Sequence, residues 1–395
     1  MTLDCKPSQL TLRVYNVGFG DCFLLTFHYP ARDRHVLIDF GSTENPGESG
    51  LLLRIAKDIS KRCCGKLDAV VATHRHRDHV NGFATRKDGM GSGDIIAGCR
   101  PELVVQPWTE HPDASSGTSA LRQFWASQKP LADTRGSVFG FVGENNLPNL
   151  SAVRNLQKMA RGNRYVHFGA ESGLESLLPG VTAHVLGPPT LEQSQSIRKK
   201  RVDDRGEFWL TRALYSQGAG SRLFPRAATC PASARAPNTR WFLRRLRTVR
   251  AARLQEIVRE LDTVLNNTSV ILLFEVGNKK LLFPGDAQIE NWSYALSHPH
   301  VRELLAGVDL YKVGHHGSRN ATPKSLWNLF THRCATSGPG RLRTVLSTMA
   351  HKFGEAERGT EVPRASLVKT LKAQSDYFST QDIQGKLYED ICIKL

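Results

Sequence analysis

Short apolar runs, each closed by Gly, Asp or Asn, recur along the chain and set the expected elements. Residues 10–15 read as a strand, Gly18-Phe19-Gly20-Asp21 as a turn, and residues 22–29 as a second strand. Residues 35–40 form a short buried strand that closes around Asp39 and Gly41. Residues 51–61 carry helical spacing through Leu52, Ile55 and Ile59. Residues 67–73 are rich in β-formers and lead directly into a run of histidines. Strands that pair early and then alternate with helices predict an α/β layered fold.

Residues 84–160 are less regular, apart from a strand expected at 101–108. A further strand is expected at 181–186, closed by Gly187-Pro188-Pro189. Beyond Asn267 the pattern resumes, with a hairpin of residues 270–276 and 280–283 turning at Gly277-Asn278. Residues 310–313 and 345–349 read as late strands and residues 367–373 as a late helix. No internal repeat is visible in the sequence.

The 395 residues, 40% apolar and 23% charged, are ordinary for a large folded domain and exclude disorder, collagen and coiled coil. No apolar run reaches the roughly 18 to 20 residues of a membrane span. The polar first ten residues carry no signal-peptide core, so a cytoplasmic location with no membrane partner is expected. The eight cysteines form no CxxC pair and are read as reduced thiols.

Charge changes the picture. The chain holds 53 Lys or Arg against 37 Asp or Glu, a formal +16, which favours a polyanionic partner such as nucleic acid. Residues 195–260 alone carry 16 basic against 5 acidic side chains. The middle of that segment, 216–238, is rich in Gly, Pro, Ala and Ser and reads as a mobile loop. Its end reads as a helix over 241–264, with an apolar stripe of Phe242, Leu246, Val249, Leu254, Ile257, Leu261 and Val264. Arg244, Arg245, Arg247 and Arg250 lie around that stripe and are the candidate nucleic-acid contacts; a protein partner could use the same face.

The strongest chemical signal is Thr73-His74-Arg75-His76-Arg77-Asp78-His79. An extended strand tip puts His74 and His76 on one side, and a tight turn returns Asp78 and His79 toward the same point. Imidazole and carboxylate at this density suit zinc, manganese or iron. Asp286 after Phe283-Pro284-Gly285 and the pair His315-His316 before Gly317 also close strands and are further candidate ligands. Asp39, at another strand end, is a candidate support for a liganding histidine. Arg75 and Arg77 project from the cluster as candidate substrate contacts or as solvated charges.

Through Asp39, the His74 to His79 cluster, Asp286 and His315-His316 the sequence resembles the metallo-β-lactamase superfamily. It is most similar to the ComEC-like hydrolases of DNA-uptake proteins, through Val17-Gly18-Phe19-Gly20-Asp21, Asn267-Thr268-Ser269, Pro284-Gly285-Asp286 and Val313-Gly314-His315-His316-Gly317-Ser318. The resemblance implies an αββα sandwich made of residues 1–194 and 261–395, interrupted by the basic, partly helical insertion 195–260. It implies one or two divalent ions, Zn or Mn. His74 and His76 would hold the first, Asp78, His79 and His316 the second, and Asp286 would bridge them. His315 would face the substrate and, with Asp78, take part in catalysis. Many members place a further histidine shortly before the bridging aspartate. Here that stretch reads Asn266-Asn267-Thr268-Ser269, so Asn267 is left as a supporting amide and the first ion as loosely held. His111, His167 and His184 are possible substitutes, and His351 is a better placed one.

The expected activity is a metal-dependent hydrolase, a nuclease cutting DNA phosphodiesters with a metal-activated water. The alternatives are a hydrolase of a small ester, lactone, thioester or cyclic nucleotide, and a binding module with a vestigial metal site.

Overall fold

The computed structural model describes residues 6–43, 50–111, 150–190, 192–194, 204, 206, 207, 209, 266–355, 360–383 and 385–395. The expected apolar runs become the central strands. Gln9–Tyr15 (β1), Cys22–His28 (β2), Arg34–Phe40 (β3), Ala69–Val71 (β4), Leu103–Pro107 (β5) and Gly162–Val166 (β6) lie side by side in that order in one sheet. Val181–Gly187 (β7), Ile271–Val276 (β8), Lys279–Phe283 (β9), Leu310–Lys312 (β10), Arg343–Leu346 (β11) and Asp376–Ser379 (β12) do the same in a second sheet. The last strand, Tyr388–Lys394 (β13), pairs antiparallel with β1 at the edge of the first sheet.

The two sheets repeat one order. β1 to β3 pair antiparallel and β3 to β6 parallel; β7 to β9 pair antiparallel and β9 to β12 parallel. A structural repeat is therefore present where no sequence repeat is visible. Both sheets are mixed, and the class is α/β as expected.

Alternation along the strands gives each sheet two buried faces. Leu10, Leu12, Phe23, Leu25 and Ile38 from the first sheet meet Leu272, Phe274, Leu281 and Phe283 from the second in one shared core. The outward residues Leu24, Leu37, Val70 and Val104 are covered by Leu52, Ile55 and Ile59 of the helix Leu51–Arg62, with Ile96 and Leu156 from later helices. On the far side Leu273, Leu282, Tyr311 and Leu346 pack under Trp292, Leu305, Trp327 and Leu371. Helices thus flank two sheets packed face to face. Because β3, β4, β9 and β10 end in loops at the same rim, four loops converge there, as ligand-bearing loops do at the carboxyl ends of parallel strands.

Three strands were not expected from the sequence: β6, β12 and β13. All three are edge strands, β6 and β13 of the first sheet and β12 of the second, and their residues are largely half-buried or exposed, so they lack an apolar run. The late strand expected at 345–349 instead begins at Arg343 and ends at Leu346. The helix expected at 241–264, with Arg244, Arg245, Arg247 and Arg250, lies outside the described residues. Among the described residues no helix is long and apolar enough to cross a membrane.

Candidate metal centre

The histidine run sits on a change of backbone conformation. Past β4 the chain stays extended through His76 (φ −61°, ψ 151°), then enters the single helical turn Arg77–Val80. The turn is held by His79 N–H and Val80 N–H donating to His76 O at 3.0 and 3.1 Å. Extended and helical halves thus aim His74, His76, Asp78 and His79 from one short segment. Gly41 permits the approach of the neighbouring loop: a Cβ there would lie 2.3 Å from Asp78 C and His79 N.

The second sheet supplies the other groups. Asp286 follows β9 through Gly285, whose positive φ of 55° makes the turn and whose missing Cβ leaves room for Thr73. His315 and His316 occupy a tight turn, both at left-handed φ (45° and 50°), a conformation that costs a non-glycine residue energy and concentrates at functional sites. The two sheets are stitched at this point by Val270 N–H donating to Thr73 O at 2.9 Å, and within the second sheet Ser269 Oγ accepts from Asp286 N–H at 3.2 Å.

The predicted residues meet. Asp78, His79, Asp286 and His316 offer ligand atoms that all lie within 4.8 Å of one another. His79 Nε2 is 3.2 Å from Asp286 Oδ1, and His316 Nε2 is 3.0 Å from Asp78 Oδ2 and 3.8 Å from Asp286 Oδ2. His74 Nε2 is 3.8 Å from Asp286 Oδ2 and 3.0 Å from His76 Nδ1. His315 Nε2 stands 3.7 Å from Asp286 Oδ2, with the His315 side chain 26% exposed. His316, by contrast, is fully buried and stacked on Phe19 at 4.3 Å between ring centroids.

The hydrogen bonds settle which ring nitrogens point inward. His316 Nδ1 lies 2.9 Å from Ser347 O; a carbonyl only accepts, so Nδ1 carries a proton and Nε2 is the atom turned toward the Asp78 carboxylate, 3.0 Å away. His79 Nδ1 donates to the Asp39 carboxylate at 2.7 Å. Thr73 Oγ1 spends its proton on Asp39 Oδ2 at 2.7 Å and so accepts from His74 Nδ1 at 3.1 Å. Three imidazoles therefore turn Nε2 toward the Asp78 and Asp286 carboxylates. His79 Nε2 and Asp286 Oδ1 are buried and make no hydrogen bond of good geometry. Nε2 atoms gathered against carboxylate oxygens in a buried space fit a divalent cation, which would displace the protons the carboxylates otherwise favour there. The Asp39–His79 and Ser347–His316 bonds orient ligands from behind.

Without a cation the charges perturb one another. Burial opposes the positive charge on His79, but Asp286, Asp39 and Asp78 outweigh it and hold its proton affinity well above the ordinary range. His316 moves the same way, with Asp286 the first of its carboxylate partners. Burial pushes the Asp286 carboxyl up, but His79 and its histidine neighbours outweigh that and hold it well below the ordinary carboxylate range. Burial, then His79 and His76, pull His74 down.

Several residues that build the site were missed as such. Thr73 and Ser269 support the site through hydrogen bonds to Asp39, His74 and Asp286. The Asn267 side chain is buried, and its backbone carbonyl accepts from Asn291 Nδ2 at 3.4 Å. Lys312, 1% exposed, lies against Asp21, and no sequence signal marked it beyond its place one residue before Val313. Arg75 does not face a substrate. It is 3% exposed and its Nε donates to Glu110 at 2.8 Å in a forked pair. His184 bonds Glu275 at 2.6 Å, His167 bonds Phe168 O at 3.0 Å, and His111 meets the Tyr165 ring edge to face, while His351 is exposed; none belongs to the converging group.

The described ends of the basic insertion also bear on the site. Trp209 N–H donates to Arg319 O at 3.2 Å and its indole N–H to Thr322 O at 2.7 Å, just beyond the His315-His316 turn. On the other side, residues 266–269 form the turn that holds Asp286.

Fold and site together define an α/β protein whose two mixed sheets carry a histidine–aspartate cluster able to hold a metal ion. No protein-family model and no curated protein matches the chain.

Proposed function

We propose that this chain is a metal-dependent hydrolase of the metallo-β-lactamase type, and that it is a nuclease cleaving phosphodiester bonds of DNA. The observation that carries the reading is the set of three imidazole Nε2 atoms, with each Nδ1 hydrogen-bonded behind, facing Asp78 and Asp286 at the joint of two sheets. Asp78, His79, Asp286 and His316 would hold one Zn or Mn ion, and His74 and His76, with Asp286, a second. A bound divalent ion lowers the pKa of water toward about 7 and stabilises charge on a pentacoordinate phosphorus.

The chain's own groups then have separate tasks. Asp78, 16% exposed at its side chain, holds the proton taken from the water. His315 is half-buried and reaches the Asp286 carboxylate, so it touches substrate or leaving group from the open side. The choice of a polyanionic substrate rests on the net +16 of the chain and on the 16 basic against 5 acidic residues of 195–260. That segment leaves the described body beside Arg319 and re-enters it beside Asp286.

The test is direct. Purified protein is incubated with labelled single- and double-stranded DNA and RNA, with Mn, Mg, Zn or a chelator, beside Asp78→Ala. Metal-dependent cleavage lost in the variant supports the reading. Cleavage of a small ester but no nucleic acid would replace the substrate, and metal-independent binding without cleavage would remove the enzyme.

A further inference from the structure

Behind the ligands lies a buried ion pair that the hydrolytic chemistry does not use. Lys312, on β10, is 1% exposed, and Asp21, in the loop between β1 and β2, is fully buried. The Lys312 ammonium contacts Asp21 Oδ2, donates to Gly285 O at 3.2 Å and stands 3.8 Å from Asp286 Oδ1. At the other end of the pair, Asp21 N–H donates to Asp78 O at 2.9 Å, and Asp21 O accepts from Gly41 N–H at 3.0 Å. Asp21 Oδ1 is also 3.6 Å from His316 Nδ1. One continuous chain of contacts thus runs from the backbone of Asp78, through Asp21 and Lys312, to the turn that carries Asp286. It crosses from the first sheet to the second.

We infer that the Asp21–Lys312 pair is a clamp that sets the separation of Asp78 and Asp286 before any metal arrives. This inference rests on reading the cluster as a metal centre. Asp78 and Asp286 belong to different sheets and repel each other as carboxylates, a repulsion that His79 and His316 offset only while both keep their protons. The ammonium, held by Asp21 and the Gly285 carbonyl, opposes their separation through groups outside the Asp78–His79–Asp286–His316 set. A residue acting this way is a positioning residue.

The sign of one substitution separates the clamp from simple electrostatics. If Lys312 acted only through its charge, removing it would strengthen cation binding, because a positive charge beside the site repels the metal. If it clamps, removing it weakens binding despite that relief. Metal-stripped full-length protein is titrated with Co(II), following the visible absorption of the bound ion and competing with a chelator for affinity. Lys312→Met should weaken Co(II) binding by about tenfold or more, the size seen when outer partners of ligands are removed, and should shift the absorption spectrum. Asp21→Asn, which keeps the shape, should weaken binding too. The double variant should lose less than the two single losses combined, since no buried charge is left without its partner. Tighter or unchanged Co(II) binding by Lys312→Met, with an unaltered spectrum, overturns the clamp. If Lys312→Met does not fold, Asp21→Asn decides: unchanged affinity and spectrum overturn the clamp as well. A wild-type chain that takes up no Co(II) instead overturns the metal reading itself.

Discussion

His316 Nε2 stands 3.0 Å from Asp78 Oδ2 although 238 residues separate them in the chain. Asp78 comes from the turn after β4 in the first sheet and His316 from the turn after β10 in the second. The parallel central strands end at one rim in each sheet, and the shared core presses those rims together. The site is therefore a property of the joint, and its ligands should fail together when either half is disturbed.

Asp78→Ala and Asp286→Ala should each lose metal from the Asp78–His79–Asp286–His316 group while the chain stays folded, because neither carboxylate packs the core. Elemental analysis of dialysed protein should show metal falling toward background, with melting behaviour close to that of the chelated wild type. Loss of folding in both variants, with metal retained in the folded fraction, would mean that the carboxylates are structural.

His315 and His316 should part company. His316 is fully buried with Nδ1 tied to Ser347 O, so His316→Ala should cost metal affinity. His315 is half-buried at the open side, so His315→Ala should keep most of the metal and lose turnover by roughly 10²-fold or more, the scale of a general acid–base contribution. Metal content and cleavage rate measured on the same preparations distinguish the two.

Arg75→Met should destabilise the fold by about 3–5 kcal/mol, because it strands the buried Glu110 carboxylate. Adding Glu110→Leu should recover much of the loss. Urea unfolding of the two variants checks this, and an Arg75→Met chain as stable as wild type would show that the pair is dispensable.

Stability of the metal-free protein should depend on pH with a definite sign. The proton affinities of His79 and His316 are raised above the ordinary 6.5, through carboxylates that outweigh burial. Their stabilisation is complete below the unfolded-state pKa and is lost as pH rises through the folded-state value. His74, lowered by burial and by His79 and His76, works the other way, one group against two. The urea midpoint of chelated protein should therefore decline as pH rises above about 6.5. Added metal should reverse the trend, since it needs the Nε2 lone pairs that protons otherwise occupy. A flat midpoint in chelator would contradict the charge arrangement.

Changing Arg244, Arg245 and Arg247 together to Glu should weaken DNA binding and flatten its dependence on salt, because fewer counterions are released. Metal content and hydrolysis of a nitrophenyl phosphodiester should not change. Binding measured by fluorescence anisotropy over a salt series is the check; unaltered slopes would assign the basic segment to another partner.

The sequence by itself determined the candidate ligand types and the strand ends that carry them. His74, His76, Asp78 and His79 share one short segment, so their convergence follows from local geometry, and Asp286 and His316 were marked by closing apolar runs. The central strands were legible because both faces are buried, while the edge strands β6 and β13 were not, because half-exposed positions need no apolar pattern. Only the tertiary structure decided which groups stand behind the ligands. Lys312 looked like one more basic residue until Asp21 and Gly285 surrounded it, and Arg75 read equally as a substrate contact or a solvated charge until Glu110 claimed it. The reason is physical: a metal ligand is set by its own donor atom, whereas a buried charge takes its role from a partner brought from elsewhere in the chain, and sequence spacing carries no record of that partner.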